Sequence, residues 1–193
     1  MRARPRFPRP HGLTHGGAPL ADAASGLESL AALVTGQDGW LRCGSDLVAV
    51  EDREGHRRLV ARVAVPAGTR MFPLHGRETT VPTRYSVQVD ATRHLDQDES
   101  LGEAELLQRY FWRYLDHACE PTVRIVDREV VAVRDIAVGE PVTFHYCTTE
   151  AEMASPFSCH CGSARCMGVV RGARHLSPVQ RRRLEAWLPE YLR

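Results

Sequence analysis

The 193-residue chain contains no lysine and no asparagine; all 25 of its basic residues are arginine. Both missing residues use A-rich codons, so a GC-rich coding sequence accounts for the gap, which by itself says little about function. No apolar run approaches the roughly 20 residues a helix needs to cross a bilayer. The opening stretch, Met1-Arg-Ala-Arg-Pro-Arg-Phe-Pro-Arg-Pro10, lacks the apolar core of a secretion signal, which leaves a cytoplasmic setting as the expectation. Charge of one sign is missing too. The net charge is +1, and nothing global draws the chain to nucleic acid or an anionic membrane. The basic tracts are short: an Arg/Pro arm at residues 2–9, and Arg181-Arg182-Arg183 on an expected C-terminal helix. Nucleic-acid and membrane partners are therefore disfavoured.

A chain of this size can bury a core without disulfides. Residues 1–25 are Pro-, Gly- and Arg-rich without period and read as a disordered arm. Residues 26–45 read as a helix and linker, with Leu27, Leu30, Ala31 and Val34 at helical spacing and Ser25 as cap. Short strands separated by turns follow: Asp46–Val50, Arg58–Val65, Thr69–Leu74 and Tyr85–Asp90. Glu103–Tyr114 has helical spacing, after which strands are expected at Thr122–Val126, Glu129–Arg134 and Pro141–Tyr146. Asp127-Arg128 makes a tight turn between the first two. Pro156–Gly172 is rich in cysteine and glycine, and Pro178–Leu192 predicts an amphipathic helix with Leu184, Leu188 and Leu192 on one stripe. There is no internal repeat. The pattern is a mostly β (α+β) domain with flanking helices.

Three of the six cysteines lie in Cys159-His-Cys-Gly-Ser-Ala-Arg-Cys166. Thiolates this close suit one tetrahedral zinc ion, whereas a Cys159–Cys161 disulfide would close a small, strained ring. The run itself offers His160 as a fourth ligand. Cys43 and Cys147 stand apart and read as buried structural thiols.

Several stretches, taken in order, resemble the SET-domain family. Arg113-Tyr-Leu-Asp-His-Ala-Cys-Glu-Pro-Thr122 is similar to R-F-x-N-H-S-C-x-P-N, and Val131–Tyr146 to A-x-R-D-I-x-x-G-E-E-L-T-F-D-Y. Cys159–Gly168 resembles the post-SET motif C-x-C-G-x-x-x-C-x-G. Upstream, Val60–Thr69 resembles the opening strand and turn of a SET domain, and Tyr85–Asp90 a Y-x-F-x-x-D strand. This resemblance implies a SET-type β-clip of small sheets with a C-terminal pseudoknot. The SET domain would occupy residues 46–150, a post-SET zinc segment 151–172, and a C-terminal helix 173–193.

The resemblance further implies transfer of a methyl group from S-adenosylmethionine to a lysine amine of a partner protein. An apolar channel favours the neutral amine that such a displacement needs, and tyrosines can wall it. Tyr146 matches the catalytic tyrosine and Tyr85 a second channel tyrosine. Arg113, Asp116, His117 and Gly55 fall at cofactor-binding positions, and Cys119 would complete a zinc set with Cys159, Cys161 and Cys166. His160 is then a spacer. The sequence also departs from the pattern. Asp116 and Thr122 stand where asparagine is usual, and His145 where aspartate or asparagine is common. Only Gly55 is left of the G-x-G cofactor loop. The lost G-x-G and Asp116 favour a second expectation, a zinc-stabilised fold of weak activity that binds a partner protein.

Overall fold

The computed structural model describes residues 39–193. The expected N-terminal arm and the Gly26–Val34 helix lie outside the described residues. Among the described residues, five small sheets carry the fold. The first is an antiparallel meander of β1 (Leu41–Cys43), β2 (Ser45–Arg53) and β3 (His56–Ala61). Val48, Val50, Leu59 and Ala61 from it are fully buried. The β2–β3 turn places Glu54 and Gly55 at φ 55° and 85°, the left-handed pair that matches strand twist in a two-residue hairpin. Asp127 and Arg128 do the same at φ 49° and 66° between β9 (Val123–Val126) and β10 (Glu129–Ala132). That hairpin pairs through β10 with β4 (Arg70–Pro73).

A third sheet, in the order β5 (Arg77–Thr79), β7 (His94–Asp96) and β6 (Val87–Gln88), was not expected as a unit. It shortens the predicted strand Tyr85–Asp90 to two residues. The Thr83 hydroxyl accepts the backbone N–H groups of Tyr85 and Ser86, so Tyr85 sits in a turn outside the ladder and is 38% exposed. The predicted Glu103–Tyr114 helix also divides. Helix α1 covers Glu103–Arg109, and a 3-10 turn covers Phe111–Tyr114. Tyr110, Phe111 and Trp112 are consecutive and all buried, a demand one helical face cannot meet. The Trp112 indole donates to the His75 carbonyl at 2.9 Å.

Two ribbons place the C-terminal half. Strands β8 (Asp116–His117) and β11 (Thr143–Phe144) pair in parallel, while β12 (Phe157–Ser158) and β13 (Val169–Val170) close the cysteine-rich loop. The expected C-terminal helix runs only over α2 (Pro178–Leu184), started by a Ser177–Gln180 capping box. Pro189 supplies no backbone donor, and 3-10 turns follow at Glu185–Trp187 and Glu190–Leu192. The stripe survives the break: Leu184, Leu188 and Leu192 are all buried in a second cluster with Cys147, Cys159 and Val170. Tyr146 packs against both this cluster and the main core. Gly172 holds the seam at φ 111°, where a Cβ would meet the Ala151 carbonyl oxygen at 2.5 Å. No helix among the described residues is long and apolar enough to cross a membrane.

Where β6, the residues after Tyr146 and the C-terminal turn meet, a carboxyl group is buried. Glu150 Oε1 accepts the Gln88 N–H at 2.7 Å, and its Oε2 lies 3.7 Å from His94 Nε2. The Tyr191 hydroxyl lies 3.0 Å from the Gln88 carbonyl and 3.1 Å from that of Thr149. Burial pushes Glu150 up to about 7 from 4.5 and pulls the His94 imidazole down. A raised carboxyl gives stability that is full below pH 4.5 and lost as pH rises through about 7. His94 slopes the other way, so comparison with a variant isolates the carboxylate. Glu150→Gln keeps an oxygen for Gln88 and should match wild type near pH 4.5. At pH 8 it should be the more stable protein by up to ~3 kcal/mol. Urea unfolding at both pH values checks this; a stability difference independent of pH would refute it.

Candidate active site and metal centre

The parallel β8–β11 pair sets Asp116 opposite Thr143 and His117 opposite Phe144. The Ala118 N–H donates to the Phe144 carbonyl at 3.2 Å, which brings Cys119 alongside His145 and Tyr146. Tyr146 begins a 3-10 turn (Tyr146–Thr148) one residue after the strand. Its N–H donates to His117 Nδ1 at 3.2 Å, and its hydroxyl donates to the Leu115 carbonyl at 2.8 Å. The phenol ring is walled by Phe144, His117 and Phe157, with centroids at 4.6, 5.2 and 5.8 Å. Burial is the main reason its ionisation is pushed up, helped by the charges of Asp116 and Glu150. The hydroxyl therefore stays protonated.

Tyr146 lies in the wall of a cleft of about 1330 Å³. The structure brings Gly55, Tyr85, Arg113, Asp116 and His117 to the same cleft, along with Cys159 and Cys161. Tyr85 faces the cleft from its turn, and the Arg113 guanidinium lies 4.0 Å from the Tyr85 ring centroid. Arg113 makes no ion pair among the described residues, and its buried Nε lacks a hydrogen-bond partner there. Asp116 Oδ2 meets His56 Nε2 at 3.1 Å. His56 is a cleft residue the sequence did not single out, because a histidine at a hairpin tip carries no periodic signal. Phe157 was missed as well, being a lone aromatic in a segment without period. His117 is pushed down to about 3 by burial and then by His145, so its imidazole is neutral. Burial likewise takes His145 down to about 4.

Beside the cleft, the sulfur atoms of Cys119, Cys159, Cys161 and Cys166 lie within 4.8 Å of one another. Cys119 and Cys159 are 3.9 Å apart. Tetrahedral zinc with bonds of about 2.3 Å needs sulfur–sulfur edges of about 3.8 Å, so the donor set fits. The β12–β13 ribbon holds the loop shut: the Cys159 N–H donates to the Gly168 carbonyl at 2.6 Å, and the Met167 N–H donates to Cys119 Sγ at 3.3 Å. His160 is exposed and outside this set. An overlapping group joins His117 and His145 to Cys119. Of the remaining thiols, Cys147 is fully buried and Cys43 is half-buried, its S–H donating to the Val48 carbonyl.

Residues 56–147 match the family model of the SET domain. The SET segment thus begins at His56 in β3 and ends one residue beyond Tyr146. A relative, Methyltransferase flvH of Aspergillus flavus, is 34% identical over 67 residues. That alignment covers 33% of this chain and 38% of the relative, so the chain spans well under half of its length. Among solved structures, KRYPTONITE in complex with mCHG DNA and SAH superposes with a TM-score of 0.48 at 16% identity, covering 61% of this chain and 27% of that one. A second complex of KRYPTONITE, with mCHH DNA, H3(1-15) peptide and SAH, gives 0.46 at 17%, covering 63% and 28%.

Proposed function

We propose that this chain transfers a methyl group from S-adenosylmethionine to the side-chain amine of a lysine in a partner protein. The observation that carries the reading is Tyr146: a half-buried, protonated phenol at the edge of the cleft, in the SET segment, with its hydroxyl hydrogen committed to the Leu115 carbonyl. A hydroxyl whose hydrogen is committed presents its lone pairs elsewhere. It can accept an N–H from an incoming amine and aim the nitrogen. The aromatic wall of Phe144, His117 and Phe157 excludes water and disfavours an ammonium, which eases loss of the amine's proton.

S-adenosylmethionine, when bound, supplies an electrophilic methyl on a sulfonium. The half-buried Arg113, with its unpartnered Nε in the cleft wall, fits a ligand that carries a carboxylate. Asp116, His117 and the Gly55 turn line the same space and would hold the rest of the cofactor. A zinc ion on Cys119, Cys159, Cys161 and Cys166 would supply no chemistry. It would join the cysteine-rich loop to β8 as the post-SET part of a SET-type fold, the C-terminal part of whose chain is read as a pseudoknot. No disulfide joins the six cysteines.

The test is incubation of the zinc-loaded protein with labelled S-adenosylmethionine and a proteome lysate, read by mass spectrometry. Label should appear on lysines of other proteins and not on this chain, which has none. A lysate left unlabelled by protein that binds the cofactor would refute the reading. Metal analysis of the reduced, chelator-free protein should give one zinc per chain. A second reading, a binding module of weak activity, is favoured by one contact. Asp116 is engaged by His56, where the family's asparagine would offer amide donors. Calorimetry separates the two, since that module should show no heat with S-adenosylmethionine.

A further inference from the structure

We propose that His117 is a positioning residue that ties the four-thiolate centre to the backbone of Tyr146 through its two ring nitrogens. The inference rests on the reading of Cys119 as a metal ligand and of Tyr146 as the residue that aims the amine.

The argument is one of proton count. The Tyr146 N–H donates to His117 Nδ1 at 3.2 Å, so Nδ1 carries no hydrogen. An imidazolium would carry a hydrogen on both nitrogens, so a bare Nδ1 means that the ring holds one N–H and that it sits on Nε2. Nε2 lies 3.4 Å from Cys119 Sγ, within reach of an N–H···S bond. The ring is held edge-on by His145, Tyr146 and Phe157 at 4.9, 5.2 and 5.8 Å, so it cannot easily turn to exchange these roles.

The same count decides between the two overlapping ligand groups. A metal on His117 Nε2 would force the ring hydrogen onto Nδ1, where it would face the Tyr146 N–H at 3.2 Å, donor against donor. His117 is therefore a donor to the Cys119 sulfur, and the group with His145 is not a metal site. A thiolate bound to zinc keeps negative charge, and an N–H aimed at it stabilises the bound state. In return the sulfur fixes the tautomer that leaves Nδ1 free for Tyr146. One side chain thus sets both how firmly Cys119 holds the metal and where the phenol's backbone begins.

Two substitutions separate the two ends, because asparagine places its amide near the Nδ1 edge of an imidazole and glutamine near the Nε2 edge. In zinc-loaded protein, His117→Asn should release zinc about tenfold faster than wild type. It should also shift the sulfur-to-metal charge-transfer band of the cobalt-substituted form, while the Tyr146 amide exchanges at the wild-type rate. His117→Gln should do the reverse, with wild-type zinc release and band position and about tenfold faster exchange at the Tyr146 amide. Long-range proton–nitrogen correlation on the wild-type protein should place the ring hydrogen on Nε2. A hydrogen on Nδ1 with zinc bound overturns this inference alone, as do two variants that change zinc release equally or not at all. A chain that binds no zinc overturns it together with the metal reading.

Discussion

Cys119→Ser is expected to lose zinc and methyl transfer together, with a circular dichroism spectrum close to wild type. A serine hydroxyl is a poor zinc ligand beside a thiolate, and four-coordinate sites of this kind gain apparent binding energies of about 10–16 kcal/mol from a full ligand set. The main core of Val48, Val50, Leu59, Val123, Val130 and Phe144 contains none of the four thiols, so the sheets should stay folded. The damage should begin at the loop between β12 and β13, where Cys159 and Cys161 line the cleft, and reach Phe157 in β12, which walls the Tyr146 ring. Leu184, Leu188 and Leu192 keep an apolar anchor of their own, which confines the loosening to the cysteine-rich loop. Loss of that wall admits water and loosens the alignment of nitrogen, carbon and sulfur. Turnover should fall by at least about a hundredfold and return only with the thiol. Strong chelators should have the same effect on wild type, reversed by added zinc. If the serine protein keeps its metal and its activity, the ligand set is wrong. Zinc lost with activity kept would make the metal a remote staple.

Tyr146→Phe should lower turnover by about a hundredfold at saturating cofactor, with zinc content unchanged. The ring and its contacts with Phe144, His117 and Phe157 survive the substitution, and so does the backbone bond to His117. What disappears is the oxygen, together with its bond to the Leu115 carbonyl. That bond contributes about 1 kcal/mol to stability, a small loss beside the kinetic effect. Thermal unfolding and steady-state kinetics on one preparation separate the two. Wild-type turnover in the phenylalanine protein would move the aiming role to another cleft residue, with Tyr85 the next candidate.

Much of the site could be read from the sequence because its motifs are local. Asp116 through Cys119 and Phe144 through Tyr146 are short runs, and one parallel pairing brings them together. The hairpin turn at Asp127-Arg128 could be read for the same reason, since two residues decide it. Tyr85 could be placed in the cleft but not in its turn, because its alternating neighbours imitate a strand while the Thr83 hydroxyl takes the backbone N–H groups. The length of α1 could not be read, since a strong helical pattern yields where three adjacent aromatics must all be buried. His56, beside Asp116, shows the general limit. A contact across 60 residues between two polar side chains leaves no periodic trace in either segment.

The seam at Tyr146 also bears on how the protein assembles. The hairpins β2–β3 and β9–β10 close across two residues each and can form early. The cleft must wait for distant partners: Tyr146 with His117 across 29 positions, and Cys119 with Cys159 across 40. Each such closure spends chain entropy before any contact rewards it. The scaffold is therefore expected to form ahead of the site, and the cleft to be the last part to close during refolding and the first to open by local unfolding.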